Sequence, residues 1–369
     1  MEHFKRTWAE IDCSAIGENF HKVRAQVGKD CKIMAVVKAN AYGHGVDHIA
    51  PYLARLGADF FGVSCLQEAM ELKELGLTQP ILILGYTPEH HFSQLISEGI
   101  SQTVFSMEDA RALSAAAVAL GKSAKVHIAL DTGMGRIGFD AFDAASAASE
   151  AQAVADLPNI EFEGLFTHFS VADTDGEEAY TDAQFERFMQ VRDLLQQRGF
   201  RPLCHCANSA GTFLNPKYHL DMVRAGIVLY GLEPGGREHS FRPAMTVKTL
   251  ISFVKELPAG RDLSYGRRYT TEKTCRVATL SAGYADGYPR SLSGLGYALI
   301  GGKKAKILGN ICMDQMMVDV SEIPCKAGEE AILLGDGIDF NEVAKELGTI
   351  HYELICGIGK RVPRIVKEN

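Results

Sequence analysis

Eight short, apolar, β-rich runs alternate with amphipathic stretches between about residue 14 and residue 231, and this alternation limits the fold more than any other feature. The runs are 33–37, 60–63, 81–84, 103–105, 126–130, 162–166, 203–206 and 227–230. Between them, Val46, Ile49, Ala50, Leu53 and Leu56 recur at spacings of three and four, as do Phe185, Phe188, Met189 and Leu195 within 182–199. Such spacing predicts helices that bury one stripe. Gly57, Gly76, Gly99, Gly121 and Gly199 fall where these helices should end, the position that favours a left-handed cap. Eight strand–helix units over about 220 residues predict a (β/α)8 barrel of the TIM type. A doubly wound open sheet is the alternative, weakened because no GxGxxG follows the first run.

After Gly235 the texture changes. Segments 246–257, 276–280, 298–300, 306–308, 316–320 and 331–334 read as strands separated by Gly, Pro and Asp, and only 341–347 reads as a helix, closed by Gly348. The expected organisation is a barrel over 13–235 and a β-rich domain over 236–369, joined by an N-terminal strand within 1–12. The net charge of −8 and the lack of a Lys/Arg run argue against nucleic acid or an anionic membrane as partner. The nine cysteines are scattered, no signal-peptide pattern is found, and no apolar run approaches 18 residues. The expectation is a cytoplasmic protein with reduced thiols.

Several motifs drop out. There is no HExxH and no CxxC pair, and Gly121-Lys-Ser123 fails as a P-loop because position 116 is Ala. Cys204-His205-Cys206 is the one cluster with metal-like density, but no second ligand pair follows it, so structural or site-lining residues are expected and no metal.

In a barrel, chemistry collects at the C-terminal ends of the strands. Lys38 ends the first run after five apolar residues. Such a lysine either snorkels to water or, if desolvated, becomes a Schiff-base nucleophile. Asp131-Thr-Gly-Met-Gly-Arg-Ile-Gly138 places three glycines around Arg136, which suits either a surface turn or close approach to an anion. His168 follows the sixth run. Asn208 and Ser209 follow the seventh, and Arg224, Gly226 and Ile227 belong to the eighth. An Arg inside a barrel strand is costly unless paired, and the ends of strands seven and eight are a common phosphate site. A lysine at strand one with a phosphate site points to pyridoxal 5'-phosphate.

Lys38-Ala-Asn-Ala-Tyr-Gly-His-Gly45 resembles the cofactor-attachment motif of the alanine racemase family. Asp131–Gly138, His205–Ser209, Arg224–Ile227, Ser264-Tyr-Gly266, Gly283–Arg290, Cys312-Met-Asp314 and His351-Tyr-Glu353 resemble that family in the same order, over nearly the whole chain. The resemblance implies a PLP-dependent isomerase that interconverts L- and D-alanine and supplies D-alanine for bacterial peptidoglycan. It implies a homodimer with shared active sites. Lys38 would hold the cofactor and act as one base, and Tyr265 of the partner subunit would be the other, on the opposite face. Read without the family, Tyr265 is only an aromatic in a turn. A free phenol has a pKa near 10, and the resemblance supplies His168 and, behind it, Arg224 as its support. Arg224 would face the pyridine nitrogen. Tyr42, Ser209, Gly226, Ile227 and Tyr352 would hold the phosphate, with Asn208 beside them. Arg136 and the Met313 N–H would bind the substrate carboxylate, and Tyr284 with Tyr352 would narrow the entrance.

The alternatives are a racemase of another small amino acid such as serine, a non-catalytic PLP carrier, and a barrel decarboxylase. Tyr352 is bulky where a serine-preferring relative should be smaller, a carrier lacks the β domain that bears Tyr265, and a decarboxylase has an acid where this chain has Arg224. One departure stands out. Many family members carry a carbamylated lysine seven residues before the substrate-binding Arg, and here that position is Ala129. A partly buried Arg136 would then need another acceptor, expected to be a bound anion such as chloride, ordered water, or a nearby carboxylate.

Overall fold

The computed structural model describes residues 6–235 and 240–367. The boundary expected after residue 235 falls at residues 236–239, outside the described residues. The chain divides into two compact units: one is the described part of Met1–Ala15, Tyr42–Gly45 and Pro243–Asn369, the other that of Ile16–Ala41 and Val46–Arg242.

The second unit is a parallel near-barrel. Its strands are β1 (Lys32–Val36), β2 (Phe60–Val63), β3 (Ile81–Ile83), β4 (Ser101–Val104), β5 (Ala124–Asp131), β6 (Ile160–Phe166), β7 (Leu203–His205) and β8 (Met222–Ala225). They pair in the order β8-β1-β2-β3-β4-β5-β6-β7. At the remaining seam, Asp221 N–H donates to the Cys204 carbonyl at 3.1 Å and Arg224 N–H to the Ala207 carbonyl at 2.9 Å. Parallel strands are covered on both faces, which explains their continuous apolar runs. Ile33, Met34, Ala35 and Val36 are all buried. Helix Val46–Leu56 turns Ile49, Ala50 and Leu53 inward, as its spacing predicts.

The eighth run is corrected by the structure. Strand β8 is Met222–Ala225, and Ile227–Tyr230 forms a 3-10 turn rather than a strand. Gly226, at φ −120° and ψ −98°, breaks the strand, and the four residues after it are buried on all sides. A short, fully buried apolar run carries no period that separates strand from turn.

The first unit centres on an eight-stranded sheet. Its longest strand, Met245–Leu257, runs antiparallel to Thr7–Asp12, which in turn runs parallel to Arg364–Lys367. Helix Phe340–Leu347 is capped by Asp339 and ends at Gly348 in the left-handed region. A second helix, His351–Cys356, is too short to show a period and escapes the sequence reading. Among the described residues, no helix is long and apolar enough to cross a membrane.

Tyr42–Gly45 belongs to this unit because Gly43 lies against helix His351–Cys356. Gly43 has φ +81°, and a Cβ there would come within 2.2 Å of the Ile355 carbonyl oxygen. Arg364 Nε donates to the Gly43 carbonyl at 2.8 Å. Gly43→Ala therefore meets both a disfavoured φ and a backbone clash, and is expected to lower the unfolding free energy by about 2 kcal/mol or more. Urea unfolding checks this, and an unchanged midpoint would contradict the close approach.

Candidate active site

Lys38 stands just beyond β1 and is half-buried. The four residues after it are unusual. Ala39, Asn40, Ala41 and Tyr42 have φ values of 53°, 56°, 53° and 51°, a full left-handed turn without a glycine. For L-residues this costs roughly 1–2 kcal/mol each, so the surroundings must impose it. Ala39 N–H donates to Glu68 Oε1 at 2.7 Å, and the other carboxylate oxygen takes Ser64 N–H at 2.7 Å. Ala41 N–H donates to the Val37 carbonyl at 2.8 Å, and Asn40 Oδ1 accepts from Val46 N–H at 2.8 Å. The turn fixes the direction in which the chain leaves Lys38.

Across the barrel mouth, Arg224 is buried without an adjacent carboxylate. Its Nη1 donates to His205 Nδ1 at 3.0 Å and the His205 carbonyl at 2.9 Å. Its Nη2 donates to the Thr167 carbonyl at 2.8 Å, the Cys206 carbonyl at 3.0 Å and His168 Nδ1 at 3.3 Å. Its Nε makes no hydrogen bond among the described residues. Burial first, and the charge of Arg136 second, lower the Arg224 pKa to about 10, which leaves it protonated at neutral pH. His168 is pushed down to about 3 by burial, then by the charges of Arg224, Arg136 and Lys38. It is therefore a neutral imidazole. Because its Nδ1 faces a donor, the proton sits on Nε2.

Beyond the ends of β7 and β8, a side chain joins the two loops. Asn208 caps the helix Ser209–Leu214 by accepting from Gly211 N–H at 2.9 Å. Ser209 Oγ accepts from Gly226 N–H at 2.9 Å, so its own hydrogen remains to donate. The Ile227 N–H, at the start of its 3-10 turn, donates to no carbonyl among the described residues. Cys204 and Cys206 are buried thiols whose pKa values burial pushes up, Cys204 to about 12.

In the other unit, Tyr265 is 71% exposed. It follows Ser264 at φ +66° and precedes Gly266 at φ +71°, and Asn310 Nδ2 donates to its carbonyl at 2.8 Å. An open cavity of about 610 Å³ is lined by Ser264, Tyr265, Cys312, Met313, Asp314 and Gln315. Tyr284 stands by Met313 because Gly283 has no side chain. A Cβ there would lie 2.2 Å from the Cys312 carbonyl oxygen, and Tyr284 N–H donates to that oxygen at 3.1 Å. The Tyr42 and Tyr352 rings lie 6.2 Å apart within the same unit.

One expectation needs correction. Arg136 is exposed in the single chain, not partly buried, and makes no hydrogen bond among the described residues. Gly133, Gly135 and Gly138, all at positive φ, carry the turn that brings the side chain to water. In the single chain, no burial penalty on Arg136 calls for an anion beside the buried Ala129 methyl. Two residues of the barrel interior that the sequence reading did not single out, His127 and Glu163, join His205, expected to be structural or site-lining, and Arg224 in one chain of contacts. The signal was present: a His inside the apolar run 126–130 must find hydrogen-bond partners when buried, as the Arg of β8 must.

The depressed His168 pKa has a consequence for stability. The unfolded imidazole takes up a proton near pH 6.5, the folded one only near 3. Stability is full above pH 6.5 and falls as pH drops below it, by up to about 1.4 kcal/mol per pH unit for this residue. His205 is shifted the same way by burial. Glu163 adds its own loss only below its ordinary 4.5. Urea unfolding between pH 6.5 and 4.5 is expected to show this decline, and His168→Gln to flatten it. An equal slope in that variant would show that His168 is protonated in the folded state.

The chain matches two described domain families, the N-terminal domain of alanine racemase over residues 11–234 and the C-terminal domain over 244–366. It is 46% identical to an alanine racemase of Clostridium perfringens over 372 residues, covering 98% of this chain and 95% of that protein. It is 45% identical to one of Desulfovibrio desulfuricans over 375 residues, covering 100% of both. Among solved structures, alanine racemase of Clostridium difficile superposes with a TM-score of 0.96 at 39% identity, covering 100% of this chain and 97% of that one. That of Bacillus anthracis, solved with bound L-Ala-P, superposes with a TM-score of 0.91 at 34% identity, covering 100% of this chain and 97% of that one. With both domain families matched in order and a relative aligned end to end, this chain belongs to the alanine racemase family.

Proposed function

We propose that the protein racemises alanine with pyridoxal 5'-phosphate by a two-base mechanism, as a homodimer. The observation that carries this reading is Arg224. All its other guanidinium hydrogens are taken by the protein, and Nε alone is left for a ligand. A neutral ring nitrogen is a suitable acceptor for it. The Ser209 hydroxyl, held by Gly226 N–H, and the Ile227 N–H give a phosphate two donors at the ends of β7 and β8. The residues present therefore fit the cofactor. The family resemblance adds the Tyr42 and Tyr352 hydroxyls to the phosphate donors, and Asn208 acts by holding Ser209 at its helix start.

Held here, the cofactor would supply an electron sink that makes the substrate's α-proton removable, once the substrate amine has taken the place of Lys38 and freed its Nζ. The Lys38 Nζ takes or returns that proton on one face. Tyr265 of a second copy does so on the other, and inversion needs both. Neutral His168 offers its Nε2–H to that phenolic oxygen. Arg224, fixed in its protonated form, donates from Nε without giving up its proton. The ring nitrogen thus stays a weaker electron sink than one beside an acid, which suppresses transamination. Arg136 and the Met313 N–H receive the substrate carboxylate. The four relatives described above are bacterial alanine racemases, which favours alanine over serine, a cytoplasmic setting, and D-alanine for peptidoglycan as the product's use. Restored growth of a D-alanine-requiring bacterium tests that last step.

Borohydride reduction of the loaded protein followed by peptide mapping is expected to leave the cofactor on Lys38, and an adduct elsewhere would remove Lys38 from its role. Tyr265→Phe is expected to retain the cofactor but lose about 10²–10⁴-fold in racemisation in both directions. Chiral chromatography reads this for L- and D-alanine. Mixing Lys38→Ala with Tyr265→Phe subunits should restore part of the activity, since one hybrid site then holds both bases. No rescue after verified subunit exchange would count against shared sites.

A further inference from the structure

Beneath Arg224 the barrel interior carries polar side chains to which the racemase reading gives no task. Arg224 Nη1 donates to His205 Nδ1 at 3.0 Å, His205 Nε2 lies 2.8 Å from His127 Nδ1, and His127 Nε2 lies 3.0 Å from Glu163 Oε2. Four successive strands, β5 to β8, each contribute one member. Glu163 also accepts from the Ser101 hydroxyl and lies 3.5 Å from Lys125 Nζ.

Only one placement of protons satisfies this chain. A guanidinium can only donate, so His205 Nδ1 must be the bare nitrogen and Nε2 must carry the proton. His127 Nδ1 is then the acceptor, and its Nε2–H points to the carboxylate. Glu163 is ionised: burial pushes its pKa up, but the hydrogen bonds from His127 and Ser101, with the charge of Lys125 nearby, outweigh that and hold it below the usual carboxylate range. With the opposite tautomer of His205, an N–H would face the Arg224 N–H, and the guanidinium would have to turn away.

Two backbone features are shaped to this chain. Val126 pairs with Phe162 but His127 pairs with Gly164, so Glu163 is an extra residue in β6. Such a bulge re-aims a side chain. Gly164 then leaves the space that the His127 ring fills, since a Cβ there would lie 2.1 Å from His127 Nδ1. Phe166 stacks on His205 with ring centroids 4.9 Å apart and planes 4° from parallel, which holds the second ring in line.

We propose that Glu163 and His127 are positioning residues that lock His205 in its Nε2–H tautomer, so that Nδ1 always accepts from Arg224 and the Arg224 Nε stays turned toward the ligand. The functional half of this rests on the reading that Arg224 faces the cofactor ring; the tautomer half does not.

Nitrogen NMR of histidine-labelled protein, without cofactor, reads the tautomers directly. His205 and His127 are both expected as single Nε2–H forms. Glu163→Leu removes the terminal acceptor and is expected to mix the tautomers at both rings, whereas Glu163→Gln keeps an oxygen acceptor and should preserve them. In the loaded enzyme, Glu163→Leu is expected to lower kcat about tenfold, as loss of an outer-shell partner typically does, with KM little changed. Glu163→Gln should recover most of that loss. Should Glu163→Leu fail to fold, Gly164→Ala, which displaces the His127 ring, is expected to mix the tautomers in its place. A proton on His205 Nδ1 in the unmodified protein, or on both nitrogens, overturns the proposal. So do unmixed tautomers in folded Glu163→Leu. Failure to bind PLP would leave the NMR result standing and count against the cofactor reading alone.

Discussion

A positive charge inside a barrel with no carboxylate beside it is the constraint around which the site is arranged. Removing Arg224 from water costs several kcal/mol unless its hydrogens find acceptors. The acceptors are neutral: three carbonyls, of Thr167, His205 and Cys206, and two imidazole nitrogens. The carbonyls come from the ends of β6 and β7, so solvating the charge also fixes where those strands stop. The same charge keeps His168 neutral, with burial as the larger cause. One buried guanidinium therefore sets a strand boundary, the protonation of a neighbour, and the single N–H offered to a ligand.

The strand–helix alternation was legible in the sequence because burial on both faces leaves continuous apolar runs and the covering helices keep a 3.6-residue period. The eighth apolar run was misassigned for the same reason inverted, although Arg224 was read as lying inside the eighth strand. Ile227–Tyr230 is more apolar than Met222–Ala225, yet it is the turn. The strand contains the charge, and apolarity ranks the two segments the wrong way round. Helix His351–Cys356 was hidden by its length. The interior chain from Glu163 to Arg224 was hidden by a bulge, because one inserted residue changes which side chain faces inward and no periodic pattern records it. Tyr265 could be found only through resemblance, since an exposed aromatic in a turn has no local signature.

The left-handed turn after Lys38 was equally invisible, although its residues were quoted as a motif. Ala39 and Ala41 are residues of the ordinary right-handed helix, and only Asn40 is of a type that visits φ near +55°. The conformation is imposed from outside by Glu68, which sits in helix Leu66–Glu74 and holds Ala39 and Ser64 N–H groups on its two oxygens. Four such residues in succession follow the proposed attachment point. The chain thereby leaves Lys38 along one path, and the glycine that ends the turn is the one that fits against Ile355.

The two proposed bases differ in how the single chain treats them. Lys38 is half-buried, at the end of a strand whose neighbours are packed on both faces. Tyr265 projects from a pinned backbone with most of its surface in water, and its hydroxyl makes no hydrogen bond among the described residues. An exposed phenol beside exposed Met313 and Tyr284 is a large aromatic and apolar surface for one chain to leave open. The backbone there is over-determined while the side chains are not: Asn310, Ser264 and Gly283 fix the loops, and the rings of Tyr265 and Tyr284 stay exposed among the described residues. That combination is what a surface prepared for a second copy looks like. On the proposed reading, the phenol becomes a base only after assembly, when another molecule supplies donors to its hydroxyl.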